Sequence, residues 1–224
     1  MKCNTILFDI NETVLNLSIL KPKFKIAFGD DSVTATWFSM LLHSSTVCIM
    51  TDVKTDFLTL ASTMLESIAA RMGIALSEAM RNDILDTFSN LPPHNDIKPA
   101  LRQLQSTGFR TVAFSNSSLN LISTQIKNAG LTEYFDDIIS VEETGSFKPD
   151  PNVYQFAAKK LNQPLASLRL VATHDWDTHG ALSVGMKAAY IERLVNIYHP
   201  LYLQPDICAA TMEEIIKKII EKDG

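Results

Sequence analysis

The sequence predicts an α/β protein, in which a Rossmann-like parallel sheet carries helices on both faces and an inserted all-helical cap. Two observations support this prediction. Short runs that are apolar throughout alternate with helical patterns over most of the chain, and such runs suit parallel strands buried on both faces. The stretch from about Ser32 to Asn90 breaks this alternation, because it contains helical patterns and no strand signal.

The predicted strands and helices of the sheet region follow one another in order. The strands are residues 5–8, 110–114, 137–141, 168–172 and 188–191, with a short sixth strand at 206–208. The helices are residues 99–106, 119–129, 151–161, 178–184 and 212–221. Gly108, Gly130 and Gly185 follow three of these helices, and glycine readily adopts the left-handed conformation that ends a helix.

The inserted region contains three predicted helices, at residues 34–47, 57–72 and 78–88. The second of them has its apolar residues on one helical face: Phe57, Leu60, Ala61, Met64, Leu65, Ile68 and Met72. Pro92 and Pro93 close the region. We therefore predict two structural units, a core made of residues 1–15 and 93–224 and a cap made of residues 16–92.

The composition argues against several classes of protein. The 224 residues carry a net charge of -5, which is ordinary for a soluble protein and argues against a nucleic-acid partner. The three cysteines form no CxxC pair, so we expect neither a disulfide framework nor a thiolate zinc site. No GxG triplet occurs, which excludes the dinucleotide fingerprint. We identify no signal peptide and no membrane span, and we expect a cytoplasmic protein.

Polar residues collect where the predicted strands end. They are Asp9 after the first strand, Ser115 and Asn116 after the second, Lys148 in the loop after the third, and His174 and Asp177 after the fourth. The carboxyl ends of parallel strands form one edge of a sheet, where open α/β proteins bind their ligands. We therefore expect an acid, a base and amide donors to converge at one site.

The segments at these strand ends resemble the four motifs of the haloacid dehalogenase superfamily. FDINETVL at residues 8–15 resembles the first motif, an Asp nucleophile followed four residues later by Thr. SNSS at 115–118 resembles the second motif and FKPDP at 147–151 the third. WDTHGA at 176–181 resembles the fourth motif of the (S)-2-haloacid dehalogenase branch. The order and spacing of the motifs and the helical insertion agree with this family over essentially the whole chain.

This resemblance implies a hydrolase that removes halide from a short 2-haloalkanoic acid, with no metal and no organic cofactor. Asp9 would attack the halogen-bearing carbon and form an ester, which water would then hydrolyse. Lys148 would keep Asp9 ionised, and Thr13 would fix the rotamer of Asp9. Asp177 would pair with Lys148 and orient it. The cap would close over the site and exclude bulk water.

The resemblance also implies residues that bind the substrate. Ser115, together with the N–H groups of the helix that follows, would hold the substrate carboxylate, and Asn116 would donate its amide N–H to the departing halide. Asn11 and Trp176 complete the predicted substrate-binding residues. Related dehalogenases usually receive the halide on a cap Arg, but this chain has no Arg before Arg71. His43 and Trp176 are the candidates to help Asn116 in that role.

Two positions separate this chain from the magnesium-dependent phosphatases of the superfamily. Those enzymes carry an Asp two residues after the nucleophile, where this chain has Asn11, which cannot transfer a proton at neutral pH. They also carry a metal-binding Asp four residues before the position of Asp177, where this chain has Thr173. Both replacements argue against phosphoryl transfer and against bound magnesium.

Two other positions differ from the dehalogenases themselves. The first motif usually has Gly where this chain has Glu12, and the fourth motif usually has Asn where this chain has His174. We hypothesise that the two replacements are coupled, so that Glu12 orients His174 and His174 deprotonates the hydrolytic water. An alternative is that His174 belongs to a metal site with its neighbours Asp175, Asp177 and His179.

Two other functions remain open at this stage. One is a phosphatase-like hydrolase that has lost its usual acid, and the other is a non-catalytic protein that retains the fold. The missing cap Arg favours the second of these. We expect a small-molecule 2-haloacid as the partner, without nucleic acid or membrane. Pairing of two copies through the cap helices is an option, because related enzymes often pair that way.

Overall fold

The computed structural model describes residues 3–193 and 197–224. Within them, one parallel sheet has the strand order β3-β2-β1-β4-β5-β6. Its strands are β1 (Thr5–Phe8), β2 (Arg110–Ser115), β3 (Asp137–Ser140), β4 (Leu168–Ala172), β5 (Lys187–Ile191) and β6 (Ile207–Ala209). The strands β1, β2, β4 and β5 are buried almost throughout, as their continuous apolar runs require. The predicted α/β fold class is confirmed.

The α-helices lie between and after these strands. Those inserted between β1 and β2 are α1 (Lys21–Phe28), α2 (Val33–Thr51), α3 (Phe57–Met72), α4 (Glu78–Ser89) and α5 (Ile97–Ser106). Those that follow are α6 (Leu119–Asn128), α7 (Pro151–Leu161), α8 (Asp175–Ser183) and α9 (Met212–Asp223). Short 3-10 turns are formed by Leu17–Leu20, Thr132–Tyr134, Val141–Thr144 and Leu165–Ser167.

The register of the central strands places the site. Phe8 of β1 pairs with Ala113 of β2 on one side and with Val171 of β4 on the other. The residues that follow these three positions therefore emerge at the same level of the sheet edge. Because β2 and β4 flank β1 on opposite sides, this edge is also the point where the direction of the strand order reverses, which is the usual ligand site of an open α/β sheet.

The helices α1 to α4 form the region predicted as a cap. The apolar face of α3 is buried as its periodicity indicates, except that Met64 is half-buried and Met72 is exposed. Asp56 begins this helix, because its carboxylate accepts the backbone N–H groups of Leu58 and Thr59. The division of the chain at residues 15 and 92 stays a prediction.

The structure differs from the sequence prediction at two helices. Helix α1 was not predicted, because its eight residues are too few to show a clear period beside the longer α2. Helix α8 begins at Asp175 and not at residue 178, so Asp177 lies within the helix and does not cap it. His174, with an extended backbone, holds the capping position, and Asp177 lies buried in the first turn.

Helix α2 is a further correction. It is 19 residues long and apolar enough to cross a membrane by length and composition alone, whereas the sequence analysis identified no such stretch. Trp37, Phe38 and Leu41 of this helix are buried inside the protein. A core helix of a folded protein meets the same criterion, so α2 is weak evidence for a membrane segment.

Candidate active site

Asp9 lies at the end of β1 with both carboxylate oxygens engaged. Its Oδ1 accepts a hydrogen bond from Lys148 Nζ at 2.9 Å, and its Oδ2 accepts one from Thr13 Oγ1 at 2.7 Å. Thr13 Oγ1 in turn accepts the backbone N–H of Thr173 at 3.0 Å, which ties the nucleophile loop to the end of β4. The carboxylate is thus held in one orientation and is almost completely buried.

Lys148 joins Asp9 to a second buried carboxylate. Its Nζ donates to Asp177 Oδ2 at 2.6 Å and to the backbone oxygen of Phe114 at 3.3 Å. Tyr154, on α7, donates its hydroxyl to the other oxygen of Asp177 at 2.6 Å. The Lys148 ammonium therefore has a fixed position between two carboxylates and is shielded from solvent.

These contacts set the charge of the site. Burial disfavours an ionised Asp9, but the ammonium of Lys148 and the hydrogen bond from His174 outweigh it and hold the pKa of Asp9 well below its usual range. Burial also disfavours the charged lysine, but Asp177 and Asp9 raise the pKa of Lys148 above its ordinary value. Asp9 is therefore a carboxylate, and Lys148 an ammonium, at neutral pH.

His174 lies between Asp9 and Glu12. Its Nδ1 is 3.1 Å from Asp9 Oδ2, and its Nε2 is 2.9 Å from Glu12 Oε2. Burial lowers the pKa of the imidazole, but the two hydrogen-bonded carboxylates outweigh it and raise the pKa of His174 to about 10. The ring stacks on Trp176, with centroids 5.1 Å apart. His174 is therefore an imidazolium at neutral pH while Asp9 is ionised.

Glu12 has a backbone conformation that is unusual for its residue type. Its φ of 68° lies in the left-handed region, where residues with a Cβ are strained and glycine is not. This explains why glycine suits the corresponding position of the motif. A glutamate in its place costs roughly 1–2 kcal/mol of backbone strain, which persists only where the surrounding structure fixes the conformation.

The residues that end and follow β2 form hydrogen bonds with the loops around Asp9 and Lys148. Ser115 Oγ accepts the backbone N–H of Ser117 at 3.1 Å, and Asn116 Oδ1 accepts the backbone N–H of Lys148 at 2.8 Å. The second bond fixes the amide of Asn116 with its NH₂ group at the opposite end, available to donate. Asn11 donates to Ser117 Oγ at 3.2 Å and accepts from Gln125 Nε2 at 3.1 Å, so its amide ties the nucleophile loop to α6.

A cavity of about 540 Å³ lies between the cap region and this edge of the sheet. Glu12, His174 and Trp176 line it on one side, and Lys21, Phe38 and Leu42 line it on the other. The ring of Phe38 is 6.0 Å from that of His174. Asp9 is not among the described lining residues, but His174, whose Nδ1 lies 3.1 Å from Asp9 Oδ2, is one of them.

Two sequence candidates fall outside this arrangement. His43 is exposed on α2 and is not among the described residues of the cavity wall, so the structure gives it no place beside a departing halide. His179 stacks on Tyr202, with centroids 4.5 Å apart, and is not a neighbour of His174 in the hydrogen-bond network. Among residues 3–193 and 197–224, no three His, Cys, Asp or Glu side chains are grouped so that they could hold a metal ion.

Sequence reasoning also missed residues that the structure brings to the site. Tyr154 contacts Asp177, and both His94 and Arg193 line the cavity. Arg193 follows β5 and could have been found by extending the strand-end rule to the fifth strand. Tyr154 lies on the first turns of the helix after the third motif. His94 carries no comparable signal, because it follows the two prolines that close the cap region.

The comparisons with known proteins agree with this fold. The family model of haloacid dehalogenase-like hydrolases matches residues 3–168, and the chain belongs to that family. It is 28% identical to (S)-2-haloacid dehalogenase 1 from Pseudomonas sp. (strain CBS-3) over 84% of this chain and 83% of that protein. It is 23% identical to the (S)-2-haloacid dehalogenase from Pseudomonas sp. (strain YL) over 95% of this chain and 92% of that protein.

Solved structures resemble the whole chain. The L-2-haloacid dehalogenase from Xanthobacter autotrophicus, solved with chloropropionic acid covalently bound, superposes with a TM-score of 0.89 at 20% identity. The match covers 99% of this chain and 100% of that one. The fold predicted from the motifs, a haloacid dehalogenase-like core, is confirmed.

Proposed function

We propose that this hydrolase removes halide from short 2-haloalkanoic acids, with Asp9 as a covalent nucleophile. The observation that carries the proposal is the Asp9 carboxylate itself, which is buried, ionised and oriented by Lys148 and Thr13. Relatives over most of the chain are named (S)-2-haloacid dehalogenases, and one solved relative holds chloropropionic acid covalently.

In the first step, an oxygen of Asp9 attacks the carbon that bears the halogen. The new carbon–oxygen bond forms as the carbon–halogen bond breaks, and the halide leaves with the bonding electron pair. The product is an ester between Asp9 and the substrate. Lys148 and Thr13 hold the carboxylate for this attack. After Asp9 has become a neutral ester, Lys148 is still paired with the negative charge of Asp177.

In the second step, water attacks the carbonyl carbon of the Asp9 ester with His174 as the base. An imidazolium cannot accept a proton, so His174 must first lose one. Ester formation removes the charge of Asp9, one of the two carboxylates that hold the pKa of His174 high. The imidazolium then releases its proton to the cavity, becomes a base and takes a proton from the attacking water.

This sequence balances the reaction. One halide leaves in the first step, and one proton leaves from His174 before the second. The water supplies one oxygen to the Asp9 carboxylate, one proton to His174 and its other proton to the departing alkoxide, so the 2-hydroxy acid leaves with the former Asp9 oxygen. Hydrolysis restores both the carboxylate and the imidazolium. Glu12 keeps the imidazole oriented throughout, since it holds Nε2 while Nδ1 faces Asp9.

Substrate binding is assigned to the residues that end and follow β2. We propose that Ser115 and the N–H groups at the start of α6 bind the substrate carboxylate, because a helix N-terminus favours an anion. The NH₂ group of Asn116, whose Oδ1 is held by the backbone N–H of Lys148, would donate to the halide, and Asn11 braces this loop. Trp176 buries His174 on the side of the cavity and shapes the space for the substrate.

The residues do not fit a magnesium ion of the phosphatase type. Asn11 is engaged by Ser117 and Gln125, and Thr173 uses its hydroxyl to accept the backbone N–H of Arg193 at 3.3 Å. Neither position offers the carboxylate that Mg²⁺ prefers. The proposed reaction therefore uses neither a metal nor an organic cofactor. We also propose a cytoplasmic enzyme whose partner is a small-molecule 2-haloacid. Nucleic acid, a membrane and a second copy of the chain enter no step.

Isotope labelling tests the covalent route. Under single-turnover conditions in heavy-oxygen water, the 2-hydroxy acid should carry ordinary oxygen, and the label should appear on Asp9. Label found directly in the product hydroxyl would mean that water attacks the substrate, and the proposed mechanism would be wrong. Activity on phosphate esters that depends on magnesium would instead favour a phosphatase. No halide release from any 2-chloro or 2-bromo acid would favour a non-catalytic protein.

A further inference from the structure

Three consecutive backbone oxygens after the nucleophile are held by two side chains and one amide from distant parts of the chain. The oxygen of Glu12 bonds to His94 Nε2 at 3.0 Å, and the oxygen of Thr13 accepts from Arg193 Nε at 3.2 Å. The oxygen of Val14 accepts the backbone N–H of His94 at 3.0 Å. Together these contacts define a clamp on residues 12–14.

The clamp joins three segments that meet only in the folded protein. His94 lies where the chain returns from the cap region, and Arg193 lies just after β5. Asp96 anchors the arginine, since its Oδ2 accepts from Arg193 Nη1 at 2.7 Å and from the backbone N–H of Met212 at 2.8 Å. The clamp is therefore attached to β5 and α9. Neither of these elements belongs to residues 12–14, which the clamp holds.

His94 must donate in this arrangement, because a backbone oxygen can only accept. Burial and the neighbouring Arg193 lower the pKa of His94, so the ring is neutral with its hydrogen on Nε2. The bond to Glu12 restrains the peptide that follows a residue in the left-handed conformation. Without a restraint of this kind, a residue with a Cβ favours the right-handed or extended regions of the backbone.

We propose that His94 and Arg193 are positioning residues that hold the left-handed backbone of Glu12 and so direct its carboxylate to His174. The Glu12 carboxylate reaches Nε2 of His174 at 2.9 Å from this backbone conformation. No hydrogen bond described here joins the His94 ring to Asp9 or His174, so its bond to Glu12 is what connects the ring to the catalytic groups. The kinetic part of the test rests on the proposed function, while the spectroscopic part does not.

The test compares variants of His94 that keep or lose the donor. His94→Phe keeps the ring volume without a donor, and His94→Gln places an amide N–H near the position of Nε2. In His94→Phe, the pKa of His174 measured by NMR titration should fall, because the Glu12 carboxylate is no longer held against the ring. The halide burst with bromoacetate should remain, and ester hydrolysis should slow roughly 3- to 10-fold. His94→Gln should restore most of both properties.

Two further variants separate positioning from a general structural role. In a Glu12→Gly background, His94→Phe should change ester hydrolysis little further, because glycine needs no clamp and the carboxylate is absent. Arg193→Gln should produce the same selective effect as His94→Phe if the two act as one clamp.

An unchanged His174 titration in a folded His94→Phe protein would overturn the proposal, and so would equal slowing of burst and hydrolysis. If His94→Phe does not fold, the titration of folded Arg193→Gln decides in the same way. Absence of any halide burst in the wild-type protein would contradict the proposed function, while the titration would still test the clamp.

Discussion

Two clusters of charged residues lie at opposite ends of β4, and they differ in what their charges can do. The upper cluster, at the carboxyl end, consists of Asp9, Glu12, Lys148, His174 and Asp177. The lower cluster, at the other end, consists of Arg169, Lys187, Asp206 and Asp223. Both join distant segments by ion pairs, and only the upper cluster contributes residues to the cavity wall as described.

The lower cluster is built to remain charged. Arg169 is completely buried, with Nε 2.6 Å from Asp223 Oδ2 and Nη1 2.5 Å from Asp206 Oδ1. Its Nη1 also donates to the backbone oxygen of Ala188 at 2.7 Å. A guanidinium does not lose its proton in proteins, so Arg169 can fasten α9 to the sheet but cannot exchange a proton.

The upper cluster contains a group that can exchange a proton. His174 lies between two carboxylates, one of which is the proposed nucleophile, and its ring lines the cavity. A network of ion pairs is therefore not by itself evidence of a catalytic site. What distinguishes a reactive cluster is a titratable group whose partner charge changes during the reaction and whose proton has a route to solvent.

The largest expected effect separates the two clusters by function. Asp9→Asn should reduce turnover by roughly 10⁴-fold or more, because the amide is a poor nucleophile. Halide release under excess substrate measures it. Asp206→Asn, the same change in the lower cluster, should leave turnover of the folded protein near the wild-type rate. Comparable loss in both variants would remove the functional distinction between the clusters.

The next effect is on stability and belongs to the lower cluster. Arg169→Ala should lower the free energy of unfolding by about 3 kcal/mol, because it leaves the buried Asp223 without its main partner. Urea denaturation measures this change. Lys222→Ala removes an exposed partner of Asp206 and should cost less than about 1 kcal/mol. A cost for Arg169→Ala no larger than for Lys222→Ala would show that burial adds nothing to this cluster.

Backbone strain gives a smaller effect, within the upper cluster. Glu12→Gly and Glu12→Ala both remove the carboxylate, but only glycine fits a φ of 68° without strain. Glu12→Gly should therefore unfold with a free energy about 1 kcal/mol higher than Glu12→Ala. Both variants should hydrolyse the ester more slowly than wild type. Equal stability of the two variants would mean that residue 12 is not strained.

The pH dependence of stability should differ between the clusters. His174 has a folded-state pKa of about 10 against an ordinary value of 6.5, so its stabilisation is complete below 6.5 and is lost as pH rises through 10. Asp206 has a folded-state pKa of about 2 against 3.8, so its stabilisation is present above 3.8 and is lost as pH falls through 2.

Unfolding free energies across this pH range test the contrast. His174→Gln should flatten the alkaline decline and leave in place the part of the acid decline that Asp206 contributes. Asp206→Asn should reduce the acid decline and leave the alkaline one. If the alkaline slope of His174→Gln equals that of wild type, the imidazolium is not the group that the upper cluster stabilises.

The sequence predicted the sheet and much of the site for one physical reason. Parallel strands buried on both faces leave continuous apolar runs, and the polar residues that end those runs meet at one edge. Asp9, Lys148 and His174 could be located in this way. Glu12 could be singled out only as a departure from a motif, because its backbone conformation is invisible in the sequence.

The remaining features depend on contacts between distant segments. His94 and Arg193 are nearly 100 positions apart and meet at residues 12–14 only in the folded chain. Arg169 reads as one charge inside an apolar strand, and its partners on β5, α9 and the loop before β6 cannot be inferred from local pattern. The sequence prediction starts α8 three residues late, because Asp175, Trp176 and Asp177 show no helical period of apolar residues.

The central claim is that His174 serves the second step and not the first. The most direct test is mass spectrometry of the His174→Ala protein after reaction with bromoacetate, with halide measured in parallel. We expect one equivalent of bromide in a burst and a stable adduct on Asp9. His179→Ala, which changes a histidine of α8 that lies outside the site, should turn over like wild type. The absence of both the adduct and the burst in a folded His174→Ala protein would contradict the claim. Near-normal turnover of this variant would also contradict it.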